Sequence, residues 1–479
     1  MPNTPVAPPP PTAPAAPSVA APAGARLAEV LAALSYALDL ADGQSPGATL
    51  RSCVVGLRLA DELGLPPATR SALYYALLLK DAGSSGSAAG LAALRRADGR
   101  LAAPRLSARR PGHSLRTALR LARDAAVGGS WLARVRRLLR LAPAPMVARQ
   151  VARTIRAERG AEIARRLGLP AETAEAIRWL DEHWGGRGHA DGLRGEAIPL
   201  LSRIALLART VERLHTGHGV DAALAVAGAR RGRWFDPRLV DRVLAWRGDP
   251  AWWALLREPE LLATVVAVEP HAAAVPPADE ERLAIVAHAF ADIVDARSPY
   301  TLRHSANVAV LARGAAGLLG LGEAEAHRLY LAGLLHDLGK LGVPTRILDK
   351  PERLTEAERA VVERHPLHTW AVLSRARAFA DIARPAALHH ERLDGSGYPW
   401  GVPGEELDVL TRLLVVSDVY EALTADRPYR RGMTPHAAVA LLHRDRGTKL
   451  CPQAIDALVA FAEESDGWYV THPVAMRAA

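Results

Sequence analysis

Seven side chains in the second half of the chain have the types and spacing to hold metal: His304, the adjacent pair His336 and Asp337 in "LLHDLGK", His365, the adjacent pair His389 and His390, and Asp418. Imidazole nitrogen combined with carboxylate oxygen suits Fe, Mn or Zn, and the absence of thiolate argues against a structural zinc site. Five histidines and two carboxylates exceed what one ion needs. They suffice for two ions that share a bridging carboxylate. None of these residues carries the argument alone, because a single histidine on an apolar face usually packs in a core and a His-Asp pair at a helix end usually caps it. The combination points to a metal centre.

The elements that must position these residues are helical. The chain has 479 residues, 49% hydrophobic and 23% charged, with aromatics at only 5%. That is enough for about three domains, or two larger ones, with ordinary cores. Ala, Leu and Arg dominate, apolar residues recur at three- and four-residue spacing, and strand-like alternation is scarce, so the expected fold class is all-α. The Pro/Ala composition predicts a disordered tail over 1–25, and it lacks the basic-then-apolar pattern of a signal peptide. A helical domain is expected over 26–266, with an insertion near 84–142 that contains the break "GSSGSAAG" and an Arg-rich stretch. A proline-rich linker follows at 267–281, then a second helical body over 282–465 and a tail over 466–479.

Charge and cysteine content set further bounds. Residues 1–270 hold 37 Lys and Arg against 24 Asp and Glu, and residues 271–479 hold 23 against 27, giving the net +9. The basic half can attract anions, although arginine on solvated helix faces accounts for the surplus. No helix-turn-helix follows the second body, so nucleic acid is not an expected partner. No apolar run reaches the ~18 residues of a membrane span, and no membrane partner is expected. The two cysteines, Cys53 and Cys451, form no disulfide framework, which predicts a reducing, cytoplasmic location.

The two bodies read as a tandem repeat. "GQSPGATLRSCVVGLRLADELGLPPATRSALYYALLLKDAG" (43–83) tracks "ARSPYTLRHSANVAVLARGAAGLLGLGEAEAHRLYLAGLLHDLG" (296–339). "LDEHWGGRGHADGLRGEAIPLLSRIALLARTVERL" (180–214) tracks "HHERLDGSGYPWGVPGEELDVLTRLLVVSDVYEAL" (389–423). The offset is 256 at the end of the first block and 209 in the second, so the first copy carries 47 extra residues between them.

The motifs "RHS" (303–305), "HDLGK" (336–340), "HP" (365–366), "HHERLDGSGYP" (389–399) and "SDVYEALTADRPYR" (417–430) follow one another in an order that resembles the HD-GYP phosphodiesterases of the HD superfamily. The resemblance spans roughly residues 285–460. It implies an all-helical HD-GYP catalytic domain with metal ligands His304, His336, Asp337, His365, His389, His390 and Asp418, with Asp337 bridging. Members with a third metal carry a glutamate four residues before the first histidine. Tyr300 stands there, so two divalent ions, Fe or Mn, are expected.

The implied activity is hydrolysis of cyclic di-GMP, a second messenger of bacterial signalling, to linear pGpG, GMP or both. Lys340 would add positive charge near the phosphate. Gly397, Tyr398 and Pro399 would line the substrate, with Gly397 allowing close backbone approach, and Arg427 and Arg430 would contact the nucleotide. The family's GYP loop also meets diguanylate cyclase (GGDEF) domains, which makes these and a homodimer candidate partners. Another cyclic dinucleotide as substrate, and a non-catalytic adaptor that binds cyclic di-GMP or a cyclase, are the competing readings. The chain departs from the family where Thr369 replaces the glycine of HPxxG and where Cys451 replaces a common aspartate. His368, three residues after His365, reads as a surface residue.

In the first copy the aligned positions have lost the ligands. His304 aligns with Arg51, His336 with Lys80, His365 with Arg156, His389 and His390 with Leu180 and Asp181, and Asp418 with Arg209, while Asp337 is kept as Asp81. "GRGHA", with His189 and Ala190, stands for GSGYP. This copy is expected to be a regulatory pseudo-enzyme. Its cations either form a buried salt-bridge cluster or fill the volume of the lost metals and hold a phosphate-bearing ligand.

Overall fold

The computed structural model describes residues 25–83, 145–188, 192–258, 261–270, 275, 278–298, 301, 303–426 and 431–465. The tail over 1–24, the insertion at 84–144, His189, Ala190, Tyr300, Arg427, Arg430 and residues 466–479 lie outside the described residues. Among the described residues there is no strand, only two isolated bridges, Arg231 with Phe235 and Arg446 with Leu450. The fold is all-α, as composition and periodicity predict.

The chain divides into two compact units. The N-terminal unit runs from Leu38 to Pro276, and the C-terminal unit combines the residues up to Ala37 with those from Pro277 on. The helices are α1 (Leu27–Ala41), α2 (Ala48–Glu62), α3 (Pro67–Leu79), α4 (Pro145–Arg166), α5 (Ala171–Arg178), α6 (Leu200–Ala229), α7 (Pro237–Ala245), α8 (Pro250–Leu255) and α9 (Leu261–Ala267). They continue with α10 (Glu280–Asp295), α11 (His304–Leu318), α12 (Glu323–Leu335), α13 (Thr345–Leu348), α14 (Glu356–Val362), α15 (His365–Leu373), α16 (Ala380–Ala387), α17 (Val409–Thr424), α18 (Pro435–Arg444) and α19 (Pro452–Glu464).

Local chemistry sets the helix starts. Asp279 accepts from the Arg282 amide and Asp408 from the Thr411 amide, and Thr355 with Glu358 forms a capping box, so first-turn donors find acceptors. Prolines 237, 250, 435 and 452 occupy the first helical position, where no amide hydrogen is needed. In the C-terminal unit α11 packs on α12, α17 and α19, and α15 packs on α16 and on the short turn Leu338–Gly342. In the N-terminal unit α2 packs on α3 and α6, and α5 packs on α3, α4 and α6.

The two units repeat the same contacts. Asp39 accepts from the amide and hydroxyl of Thr49, and Asp295 accepts from the amide and hydroxyl of Ser305. Gly83 and Gly339 each lie so close to the facing helix that an added Cβ would sit 1.9 Å from the carbonyl oxygen of Arg156 or His365. Arg231 grips Asp241 with two nitrogens, as Arg446 grips Asp456.

These contacts correct one detail of the alignment. Gly47 and Arg303, both left-handed, immediately precede α2 and α11, and Asp39 corresponds to Asp295, so the offset is 256 at the helix start as well. The counterpart of His304 is therefore Ala48, and Arg51 takes the place of Asn307. The shared "SP" dipeptide had shifted the register by three residues. The contacts agree, because Arg51 Nε donates to Glu212 at 2.8 Å and Asn307 Nδ2 donates to Glu421 at 3.2 Å.

Candidate metal centre

The seven candidate ligands converge from five segments of the C-terminal unit. His304 starts α11, His336 and Asp337 follow α12, His365 starts α15, His389 and His390 follow α16, and Asp418 lies within α17. They form two groups, Asp337 with His365, His389 and His390, and His304 with His336 and Asp418, whose potential donor atoms lie within 4.8 Å of one another. Except for His390, all are at most 6% exposed.

Asp337 faces both groups. Its Oδ2 lies 3.4 Å from the Nε2 of both His304 and His336, and its Oδ1 lies 3.3 Å from His365 Nε2 and 3.7 Å from His389 Nε2. Asp418 Oδ1 lies 3.3 Å from His304 Nε2, and its Oδ2 lies 3.8 Å from His390 Nδ1.

The backbone dictates which imidazole nitrogens point inward. His336, His365 and His389 each donate Nδ1–H to the carbonyl three residues earlier, Gly333, Val362 or Ala386, at 2.7 Å. A carbonyl can only accept, so in the neutral ring Nε2 carries a lone pair. His365 Nε2 and His389 Nε2 nonetheless face each other at 3.1 Å, while His336 Nε2 and Asp337 Oδ1 have no hydrogen-bond partner. Buried acceptors aimed at one another are costly unless a cation lies among them. The donor set therefore fits divalent metal.

Electrostatics sorts the ligands. Burial disfavours the charged forms of His365, His389 and His390 and lowers their pKa values, those of His389 and His390 far below the ordinary one. Burial also disfavours charge on His304, but Glu421, Asp337 and Asp418 outweigh it and raise this imidazole well above its usual value. Against the same desolvation, Lys340 and His336 hold Asp337 well below the carboxylate range, and His304 does so for Asp418. Metal binding needs deprotonated ligands, and Asp337, His365, His389, His390 and Asp418 are biased that way.

Lys340 Nζ rests on Asp337 Oδ2 at 2.5 Å with a fifth of its side chain exposed. The Tyr398 ring sits 4.7 Å from that of His390. A Cβ on Gly397 would lie 2.4 Å from Glu391 Cα and 2.6 Å from the His390 carbonyl oxygen, so this loop turns directly over the ligand. Pro399 follows Tyr398 through a cis peptide. Thr369 is buried on α15, and His368 is half-buried.

Three contributors are not evident from the motifs. Glu421 holds Nδ1 of His304 and also accepts from Asn307. It lies three residues after Asp418 on one helix, a spacing that places both on one face and could have exposed it. Buried Glu391 accepts from the amides of Trp400 and Val402 at 2.9 and 3.0 Å, tying the loop over the ligands. Asp295 braces the start of the helix that presents His304.

In the N-terminal unit the same positions carry ion pairs. Lys80 meets Asp81 and the Thr49 hydroxyl, and Arg156 and Arg209 each donate to one oxygen of Asp181, at 2.8 and 2.6 Å. Burial alone would raise the Asp81 carboxyl, but Lys80, Arg209 and Arg156 bring it to about 2. Lys80 and Arg156 stand where the other copy has His336 and His365, and Arg209 where it has Asp418, each paired with a carboxylate. No group of metal-ligating side chains occurs in this unit among the described residues.

Comparison with known proteins agrees with this geometry. The HD domain family matches residues 288–453. The chain is similar to the 3'3'-cGAMP-specific phosphodiesterase 3 of Vibrio cholerae serotype O1, with 37% identity over 433 residues that cover 90% of this chain and 94% of that protein. It is 38% identical over 208 residues to the cyclic di-GMP phosphodiesterase response regulator RpfG of Xanthomonas campestris pv. campestris, covering 43% of this chain and 52% of the relative. A crystal structure of the cyclic GMP-AMP specific phosphodiesterase V-cGAP3 of V. cholerae covers 92% of this chain and 98% of its own, with TM-score 0.65 and 33% identity. No helix among the described residues is long and apolar enough to cross a membrane. Helical fold, ligand set and chain-long similarity agree, and the chain belongs to the HD-GYP cyclic dinucleotide phosphodiesterases of the HD-domain family.

Proposed function

We propose that the C-terminal unit hydrolyses a 3',3'-linked cyclic dinucleotide at a centre of two divalent ions, Fe or Mn, and that 3'3'-cGAMP is the preferred substrate. The observation that carries the reaction is the pair of ligand groups facing the two oxygens of Asp337. His304, His336 and Asp418 would hold one ion, His365, His389 and His390 the other, and Asp337 both. When bound, such ions supply Lewis-acid activation of a phosphodiester and an acidified water.

The protein's own groups do the rest. Lys340, partly exposed beside Asp337, offers a cation to a phosphate oxygen. The Tyr398 ring beside His390 gives a base or ribose an apolar wall. Arg427 and Arg430 are proposed to contact the nucleotide. The N-terminal unit serves as a regulatory pseudo-enzyme, and diguanylate cyclase domains are proposed to dock on the exposed Asp394 and Ser396 of the 394–399 loop.

The chain-long similarity to cGAMP-specific relatives favours that substrate. Cyclic di-GMP is the second reading, supported by RpfG and by a cyclic di-GMP phosphodiesterase of Pseudomonas aeruginosa, PA4108, 40% identical over 161 residues. Protein reconstituted anaerobically with Fe or Mn should linearise 3'3'-cGAMP faster than cyclic di-GMP, as read by chromatography. The double variant His336→Ala/Asp337→Ala should lose both metal and turnover. Wild type that takes up metal but cleaves neither dinucleotide would refute the proposal, and faster cleavage of cyclic di-GMP would favour the second reading.

A further inference from the structure

We propose that Thr369 is a positioning residue of the metal centre, its hydroxyl locking the turn that carries His336 and Asp337 to the helix that carries His365; the proposal rests on the metal-centre reading above. The Thr369 hydroxyl donates to the His336 carbonyl and accepts from the Gly339 amide, both at 2.9 Å, and the residue is fully buried. It lies one helical turn after His365. One side chain thus fixes the backbone on both sides of Asp337 relative to α15.

The chain supplies its own comparison. In the N-terminal unit the same turn meets the same helix, but Gly160 stands in place of Thr369. A Cβ on Gly160 would lie 2.7 Å from Ile177 Cγ2, so that unit has no room for a threonine. The C-terminal counterpart of Ile177 is the smaller Ala386, whose carbonyl holds His389. The hydroxyl and the space for it occur together in the copy that keeps its ligands. The copy with Lys80 and Arg156 has neither.

Valine preserves the shape of threonine and removes the hydroxyl, leaving the Gly339 amide and the His336 carbonyl without it. Serine preserves the hydroxyl. Metal-depleted full-length wild type, Thr369→Ser, Thr369→Val and Thr369→Ala are titrated with Mn2+ alone, with free Mn2+ followed by electron paramagnetic resonance and folding by circular dichroism. Turnover of the loaded proteins is measured separately.

The valine and alanine variants should bind at least one Mn2+ about 10–100-fold more weakly, the range for losing a group that orients metal ligands. Their kcat should fall with KM little changed, and serine should stay within about threefold of wild type. The alanine variant keeps the test decisive if valine does not fold. Folded variants that bind Mn2+ like wild type would overturn the proposal while leaving the metal centre intact, as would serine weakening as much as valine. Wild type that takes up no Mn2+ would overturn the metal reading and this proposal with it.

Discussion

The Glu421 carboxylate holds Nδ1 of His304, whereas the same nitrogen of His336, His365 and His389 donates to a main-chain carbonyl. A charged partner makes the ring more basic and fixes it more tightly than a neutral one. Glu421→Gln keeps a possible acceptor and removes the charge. Mn2+ binding should weaken about tenfold, and in metal-free protein the His304 resonance should titrate at lower pH. An unchanged titration would show that Glu421 does not set the state of this histidine.

Metal-free protein should lose stability on acidification. His365, His389 and His390 have lowered pKa values, so the stability that comes from keeping them neutral is complete above their unfolded value of about 6.5. It is lost as pH falls toward their folded values. His304 has the opposite sign, because its raised pKa adds stability below about 6.5. Asp295, raised to about 7 by burial, and Glu391 act in the same sense as His304, while burial lowers His327 and His368 like the other three imidazoles. Five groups oppose three, so calorimetry of chelator-treated protein should show the transition of the C-terminal unit moving down between pH 8 and pH 5. A transition that rises on acidification would contradict this balance.

The N-terminal unit should be indifferent to chelators and sensitive to Asp181. Arg156 and Arg209 converge on that one carboxylate, and Asp181→Ala removes the partner that both bond directly, leaving only the weaker attraction of Asp81 and Asp42. Breaking a fully buried pair costs about 3–5 kcal/mol. These side chains are 15–25% exposed, so the expected loss is nearer ~2 kcal/mol. Urea denaturation of this variant, with and without chelator, measures both effects.

Gly397→Ala and Gly188→Ala make a matched pair. Each added Cβ would meet main-chain atoms, at 2.4 Å from Glu391 Cα in one copy and 2.2 Å from the Asp181 carbonyl oxygen in the other. Overpacking of this kind costs about 1–3 kcal/mol. Both variants should lose stability, but only Gly397→Ala, which pushes on His390, should also lose bound metal in elemental analysis.

The grouping of the seven candidate ligands was legible because each stands in a motif whose side chains are themselves the chemistry. The helices were legible from periodicity, and the loss of the site in the first copy from the cations at ligand positions. The replacement for His304 was misplaced, because an "SP" match outweighed a backbone feature that sequence hardly encodes. Gly47 suits a left-handed turn, but Arg303 adopts the same turn with an unfavourable residue type. Thr369 stood out as a departure, yet its two bonds depend on how closely Gly339 approaches α15, a tertiary fact. Glu421 looked like one more polar residue on a helix until His304, 117 positions away, was brought against it.

The division of the chain has a consequence for its synthesis. Residues 25–37 belong to the C-terminal unit, where Glu29 accepts from the Arg377 amide and Arg375 lies over Tyr36. The apolar face of Leu27, Leu31 and Leu34 is therefore made before the rest of its own unit, which resumes 240 residues after Ala37. At about 5–20 residues per second that is a wait of roughly 10–50 s. During this time the intervening unit can fold while the leading helix stays exposed to chaperones or to a neighbouring nascent chain. A catalytic fragment begun at Pro277 would lack that helix altogether and leave its seat uncovered.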